Sequence, residues 1–441
     1  MKNKFYRILL YILPAVLYFS YYPVISLGTN ESMHFELSLP LIWLAVFDVT
    51  ALVLLIQKNL LKEIFNKWQL LLFPIFATLT LIWSANRVRG VLTVGILWLL
   101  YFAAISFYLL RGECKDKKFW KNLWRVFIGS SLVAVAWCVV QCILDVMGVP
   151  MEGSLMCIGC TSTTFGFPHP NGFAIEPQFM GNLLLAPAIM CGVQMFKNKK
   201  MMVLFFIFAC GVFLTFSRGA IYALIVAMIF FTVMKIVQTK KWREVLVWPV
   251  IILAFIFTLN VQGILAAVSP TNDTYFSGIA KVLNHLSLGI IDIRNKGSSN
   301  AGATDGTTES TFDGYVEDST NVRMALTGAA LKTWTKDFKT IVLGVGMGGA
   351  GQAMYEAGST DWPKEIVQNE YASLLLETGL IGISLVIYTA VLVLKALKKS
   401  ANLEMNLTLI FGYGITLLFF AGLPNVLHIY IIPAVLPYGK S

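Results

Sequence analysis

The chain holds 441 residues, of which 57% are hydrophobic and 13% charged, with a formal net charge of +10. Soluble domains carry roughly 25% charged residues, so this composition excludes a disordered chain, a collagen, a coiled coil and an ordinary water-soluble enzyme. Seven Cys in this length also exclude a disulfide-dense secreted scaffold.

What remains is an all-α polytopic membrane protein. A bilayer crossing takes about 20 apolar residues, and hydropathy predicts about 12 transmembrane helices. They fall at 6–26, 38–57, 69–86, 91–110, 126–146, 178–196, 201–217, 220–237, 245–262, 367–394, 403–421 and 425–438. The first follows Lys2, Lys4 and Arg7 with no small-residue cleavage site behind it, so it reads as a retained span rather than a signal peptide.

Lys and Arg concentrate in alternate loops, and this bias sets orientation. One set holds Lys58, Lys62 and Lys67, then Arg111, Lys115, Lys117, Lys118, Lys121 and Arg125, with Lys197, Lys199, Lys200, Lys235, Lys240, Lys241, Arg243, Lys395, Lys398 and Lys399 further on. The opposite short loops hold Arg87, Arg89 and Arg218. Both termini are therefore expected in the cytoplasm. The positive charge is an anchoring charge, and no nucleic acid is expected as a partner.

Three pieces follow. Residues 1–262 carry helices 1–9 with an outer loop at 147–177, residues 263–366 form one large extracytoplasmic loop with short helices, and residues 367–441 carry helices 10–12. In the large loop, residues 294–321 are rich in Gly, Ser, Thr and Asp. From Val322 to Phe338 the pattern turns helical, with Val322, Leu326, Ala329, Ala330 and Trp334 near one face. A tight glycine-rich loop, LGVGMGGAG, follows at Leu343–Gly351; its glycines serve a sharp turn or the close approach of a ligand. It lacks the GxGxxG spacing of a nucleotide site. No internal repeat suggests an inverted-repeat transporter.

Arg218 lies in Thr215-Phe216-Ser217-Arg218-Gly219, between two apolar runs at the outer surface. It is either an interfacial anchor or a guanidinium aimed at a phosphate headgroup, which it can grip with two parallel hydrogen bonds. Arg323 opens the amphipathic segment of the large loop, and Arg87 with Arg89 forms a third outer basic spot. Gln368, Asn369 and Glu370 open the tenth span, followed by Glu377; polar groups in an apolar helix tend to face a cavity or a partner. His169 and Glu176 lie in the first outer loop. The four His are scattered, so no metal site is expected. Cys157 and Cys160 form a C-x-x-C that reads as a local disulfide or two free thiols. Asp48 sits mid-membrane, with a helix–helix hydrogen bond as its default role.

These residues carry a resemblance. The chain resembles the O-antigen ligase and polysaccharide polymerase superfamily of Wzy/WaaL-like membrane glycosyltransferases. The match rests on Thr215-Phe216-Ser217-Arg218-Gly219-Ala220, on Arg323 with Trp334 and the glycine loop, and on Gln368-Asn369, nine residues, then Gly379-Leu380-Ile381-Gly382. The last looks like the ligase pattern of His, then Asn, Ser or Gln, nine residues, Gly, two residues and Gly, Thr or Tyr, with Gln368 in place of the His. The resemblance implies transfer of a glycan from a polyprenyl-diphosphate-linked oligosaccharide to a hydroxyl of a second, growing glycan, without cofactor or metal. It implies that Arg218 and Arg323 hold the diphosphate. It places the active site on the extracytoplasmic side of a bacterial cytoplasmic membrane, with a flippase and a chain-length regulator as partners.

Gln can hydrogen-bond a sugar but cannot serve as general base, so either that role moves to another group, with Glu370, Glu176 and His169 as candidates, or the chain is not a ligase. The expected catalytic residues are Arg218, Arg323, Glu370 and Glu176; Gln368, Asn369, His169, Arg87 and Arg89 are expected to bind substrate. This favours a polymerase joining repeat units of O-antigen, capsule or exopolysaccharide over a ligase moving finished glycan to a lipid, protein or wall acceptor. A lipid-linked sugar transporter is the third reading.

Overall fold

A computed structural model describes residues 2–19, 23–27, 35–114, 116–149, 168, 170–174, 176–240, 242–268, 274–287, 310–398, 402–420 and 431–432. These residues form helices joined by turns and loops, apart from one hairpin. Six described helices are long and apolar enough to cross a membrane, as expected of an all-α polytopic membrane protein. They are Leu39–Gln57, Arg87–Cys114, Lys117–Val146, Arg218–Thr239, Arg243–Val268 and Glu370–Leu397.

Backbone contacts divide the chain into two units. Residues 1–128 and 323–441 form the first, and residues 129–322 form the second.

In the first unit, α1 (Lys2–Leu17) leads into an antiparallel hairpin of β1 (Pro23–Leu27) and β2 (Phe35–Ser38). The expected first span at 6–26 is thereby corrected: the helix stops at Leu17, and the last residues of the run are strand. Pro23 lacks the amide hydrogen that a continuing helix needs, and it biases its predecessor towards extended backbone. Helix α2 (Leu39–Gln57) packs on α1, where the Trp43 indole donates to the Leu9 carbonyl at 2.9 Å. After the short α3 (Leu61–Phe65), α4 (Leu72–Thr80) turns back into α5 (Arg87–Leu110) through residues 81–86. Helix α6 (Lys117–Val146) carries the chain across the boundary into the second unit.

The second unit is built on α7 (Pro177–Gln194). All of its residues from 180 to 192 are buried, the pattern of a helix that is apolar all round and has neighbours on every side. Helices α8 (Lys199–Leu214) and α9 (Arg218–Thr239) pack on it, and α10 (Val247–Val268) packs on α8. The amphipathic α11 (Tyr275–Leu286) lies against α10. The spans expected at 178–196 and 201–217 thus appear as helices of 18 and 16 residues.

Helix α12 (Ser310–Trp334) brings the chain back to the first unit. There α13 (Phe338–Leu343), the glycine loop, α14 (Ala350–Glu356) and α15 (Glu370–Leu397) follow, and α16 (Leu403–Thr416) closes the described helices of the expected tenth and eleventh spans. Of the expected last span at 425–438, only residues 431–432 are described. Leu326, Ala330 and Thr333 form the buried stripe of α12, whereas Val322 is 53% exposed. The helical phase therefore sets Val322 outside the stripe and Arg323, half-buried, at its end.

Met347, from the glycine loop, is 1% exposed and sits in a core made by Phe73 and Ala77 of α4 and Val94 and Leu97 of α5, with Leu374 and Leu385 of α15 packed against it. The loop is thus a structural element rather than a surface turn.

Candidate active site

Helix α15 carries a break. Gly379 has φ 61° and ψ −166° inside it, a conformation that favours glycine. Breaking the helix frees carbonyls upstream. The Val345 amide donates to the Leu376 carbonyl and the Gly346 amide to the Glu377 carbonyl, both at 2.9 Å. A Cβ at Gly379 would lie 2.5 Å from the Val342 carbonyl oxygen, so the two chains approach too closely for any side chain. The glycine loop therefore seats in the break. Its other side is held by the α4–α5 turn: the Ser84 hydroxyl donates to the Met347 carbonyl at 2.8 Å, and the Met347 amide donates to Thr80 Oγ1 at 3.0 Å.

This geometry explains the nine-residue spacing. Asn369 caps α15, its side chain accepting from the Ala372 amide at 3.1 Å. Residues 370–378 form the half-helix between that cap and Gly379. Two and a half helical turns are thus fixed at one end by a side-chain oxygen and at the other by a left-handed glycine. Non-helical backbone at such a position is tolerated where protein groups satisfy it.

The half-helix opens onto a cleft. Arg89 and Thr93 from the first turns of α5 line it, with Glu370, Ser373 and Glu377 from α15, Glu365 from the preceding segment, and Met347 and Ala350 from the glycine loop. Its volume is about 20 Å³, room for a single water molecule or hydroxyl group. Both helices start here, so their positive dipole ends and the Arg89 guanidinium favour negative charge at this point. Three carboxylates line the cleft, and two of them are buried. Glu370 is 3% and Glu377 8% exposed. Glu377 accepts from the amides of Gly348 and Ala350, the latter at 3.4 Å, and interacts electrostatically with Arg89. Its carboxylate thus ties the glycine loop to the half-helix.

The expected site residues distribute as follows. In the first unit, Arg89 and Glu370 share the cleft. Arg87 is exposed and donates to the Ile82 carbonyl at 3.1 Å. Asn369 is committed to the cap, Gln368 precedes it half-buried, and Arg323 is half-buried on α12. In the second unit, Glu176 is exposed at the start of α7, and Arg218 opens α9. His169, Cys157 and Cys160 lie outside the described residues. Sequence reasoning passed over Glu377 as a site residue, and with it Thr93, Ser373 and Glu365. Its signal was its place two residues before Gly379 in an apolar run.

The Arg218 turn has its own construction. Thr215 Oγ1 donates to the Val212 carbonyl at 2.8 Å, Phe216 takes φ 45°, and Ser217 caps α9 by accepting from the Ala220 amide at 3.4 Å. Of Thr215 to Ala220, Arg218 is the one residue not fully buried. The His285 imidazole of α11, 4% exposed, lies with Nε2 3.2 Å from the Phe216 carbonyl; a carbonyl only accepts, so Nε2 donates. Beside it the Tyr222 hydroxyl donates to the Leu286 carbonyl at 2.9 Å.

Among the described residues no group of three or more His, Cys, Asp or Glu could hold a metal ion. Residues 203–387 match the family model described as O-Antigen ligase. The matched segment contains the Arg218 turn, Arg323, the glycine loop and the half-helix with Gly379. It is consistent with the O-antigen ligase and polymerase superfamily that the motifs indicate. No curated protein matches the chain.

Proposed function

We propose that this membrane protein is a polysaccharide polymerase, joining polyprenyl-diphosphate-linked oligosaccharide repeat units on the outer face of a bacterial cytoplasmic membrane. The observation that carries this reading is the O-antigen ligase match over 203–387, which takes in both arginine motifs and the half-helix. Lys/Arg bias supports the orientation, because Arg218 and the α4–α5 turn fall on the poorly basic side.

The reaction is a single displacement. An acceptor hydroxyl attacks the anomeric carbon of the donor sugar. A new glycosidic C–O bond forms as the bond to the diphosphate breaks, and the electron pair leaves on the polyprenyl diphosphate. Glu370, buried and next to Arg89 on the cleft, takes the hydroxyl proton; Glu176 is the alternative base. Arg218 and Arg323 each contribute a fixed guanidinium to the departing diphosphate, whose charge grows in the transition state. Attack at the anomeric carbon inverts its configuration, so a product linkage that retains the donor anomer contradicts the scheme.

The test is made in cells and in vitro. Arg218→Ala and Arg323→Ala are expected to abolish long polymer while the protein stays in the membrane. Normal chain length in both variants overturns the reading. Incubation of purified protein with a lipid-diphosphate oligosaccharide, followed by product sizing, reports the chemistry directly.

The description of the matching family favours a second reading, transfer of finished glycan to a separate acceptor. A ligase mutant accumulates long polymer on its lipid carrier, whereas a polymerase mutant shows single repeat units. Gln368, in place of the ligase His, favours the polymerase.

A further inference from the structure

Glu370 and Glu377 lie at the two ends of the half-helix of α15, and Ser373 between them lines the same cleft. Their spacing is two helical turns to within about 20°, so the two carboxylates share one face, about 10 Å apart along the axis. A half-helix that ends at a break is free to roll about that axis unless something fixes it. Its first turn is fixed through the backbone, where the Glu370 amide donates to the Leu417 carbonyl at 2.9 Å. At the far end the Glu377 side chain takes that part.

We infer that Glu377 is a positioning residue: its carboxylate sets the roll of the half-helix against the glycine loop and orients Arg89, so that Glu370 and Arg89 meet the same acceptor hydroxyl. The inference rests on the glycan-transfer reading for the reaction served and on the contacts of Glu377 for the role.

The loop leaves Glu377 little choice of direction. Its backbone carbonyl accepts from the Gly346 amide at 2.9 Å, and its carboxylate accepts from the amides of Gly348 and Ala350. Main chain and side chain therefore grip the same loop. Gly348 is pressed from its other side by α5: it has φ 74°, and a Cβ there would lie 2.7 Å from the Arg89 carbonyl carbon. The loop is thus clamped between the start of α5, where Arg89 sits, and the end of the half-helix. Glu377 is the side chain that closes the clamp.

Stability alone does not call for a carboxylate here. A buried charge is costly unless it is paired and hydrogen-bonded, and a well-packed apolar side chain often serves as well. Leu374, Leu375 and Leu376 precede Glu377 in the same helix. A charge has a use because Arg89 lines the same cleft and interacts electrostatically with Glu377. The Arg89 backbone is fixed: its amide donates to Asn86 Oδ1 at 3.1 Å, and its carbonyl accepts from the Thr93 hydroxyl at 3.0 Å. Its half-buried guanidinium makes no hydrogen bond among the described residues, so charge is what orients it. With the Glu377 carboxylate engaged by the loop amides, the Arg89 N–H groups stay available to the cleft.

The experiment uses the full chain purified in detergent, with two readouts: hydrogen exchange, and transfer with a lipid-diphosphate oligosaccharide. Glu377→Ala removes both the acceptor and the charge, whereas Glu377→Gln keeps an acceptor and removes the charge. In Glu377→Ala, exchange at residues 344–350 and 370–378 should speed up about tenfold. Its kcat per folded molecule should fall about a hundredfold, with KM within about threefold of wild type. Glu377→Gln should exchange close to wild type and recover kcat to about a tenth of the wild-type value. A residue with a structural role alone would lower the yield of folded protein and leave kcat per folded molecule unchanged. That result in either variant overturns the inference, and Glu377→Gln decides it if Glu377→Ala does not fold. Unchanged exchange in folded Glu377→Ala overturns it as well. Wild-type protein that forms no glycosidic bond overturns the transfer reading, and faster exchange in Glu377→Ala then still upholds the hold of Glu377 on the half-helix. Transfer by wild type, with wild-type kcat in the folded variants, upholds the transfer reading and overturns the positioning role.

Discussion

Gly379 and Asn369 hold the two ends of one half-helix, yet their removal should not cost the same. Asn369→Ala deletes one side-chain acceptor and leaves the backbone path intact, a loss of about 1 kcal/mol. Gly379→Ala forces a side chain into the left-handed region and against the Val342 carbonyl, at a cost on the order of 2 kcal/mol or more. Thermal unfolding in detergent should rank the two in that order, with Gly379→Ala also losing activity because the glycine loop can no longer seat. Equal, small effects would mean that the break is incidental. His285 offers a comparable test in the second unit. His285→Ala removes the donor to the Phe216 carbonyl beside Arg218, a bond worth about 1 kcal/mol. We expect faster proteolysis around 275–287 and lower transfer, both restored in part by His285→Gln, which keeps an N–H donor.

Short helices here depend on their caps more than on their length, and α13 shows this most simply. Its six residues begin at a single carboxylate, Asp337, which accepts from the Thr340 amide and hydroxyl. The backbone hydrogen bond from Thr340 holds this group below its ordinary value of 3.8. A depressed folded-state value means that the stabilisation is fully present above 3.8 and is lost as pH falls through the lower, folded value. Hydrogen exchange at residues 338–343 should therefore speed up in acid. Asp337→Asn keeps an acceptor without the titration and should flatten that dependence. The same logic explains what the sequence disclosed about these elements. Asn369 could be placed at a helix start because cap residues have fixed chemistry, whereas Ser217 was counted into the end of the preceding span. The nine-residue spacing could be counted but not understood, because its meaning lies in a loop 30 residues upstream that fills the break at Gly379. Glu377 could be noticed as a polar group in an apolar run, but its partners were hidden for the same reason: nothing local shows that it accepts from the amides of Gly348 and Ala350.

Hydropathy marked apolar runs that the described chain forms as helices, among them Leu39–Gln57 for the run expected at 38–57 and Arg218–Thr239 for that at 220–237. It failed at 18–27, where apolar and aromatic residues serve a strand as well as a helix and Pro23 decides between them. The buried α7 shows the other face of the same pattern: a helix enclosed by its neighbours is as apolar as one that meets lipid. Orientation is the molecular property on which the proposed chemistry depends most. In the proposed reaction Arg89 and Glu370 face the compartment where lipid-linked repeat units are presented, the orientation that the asymmetry of Lys and Arg supports. Alkaline phosphatase folds through disulfides that form outside the cytoplasm, so fusions report the side. A fusion after Gly358, just beyond α14, should be active, and one after Lys240, at the end of α9, inactive. The reverse pattern would put the cleft on the cytoplasmic side, where a basic loop is ordinary and Arg218 would need no substrate to explain it.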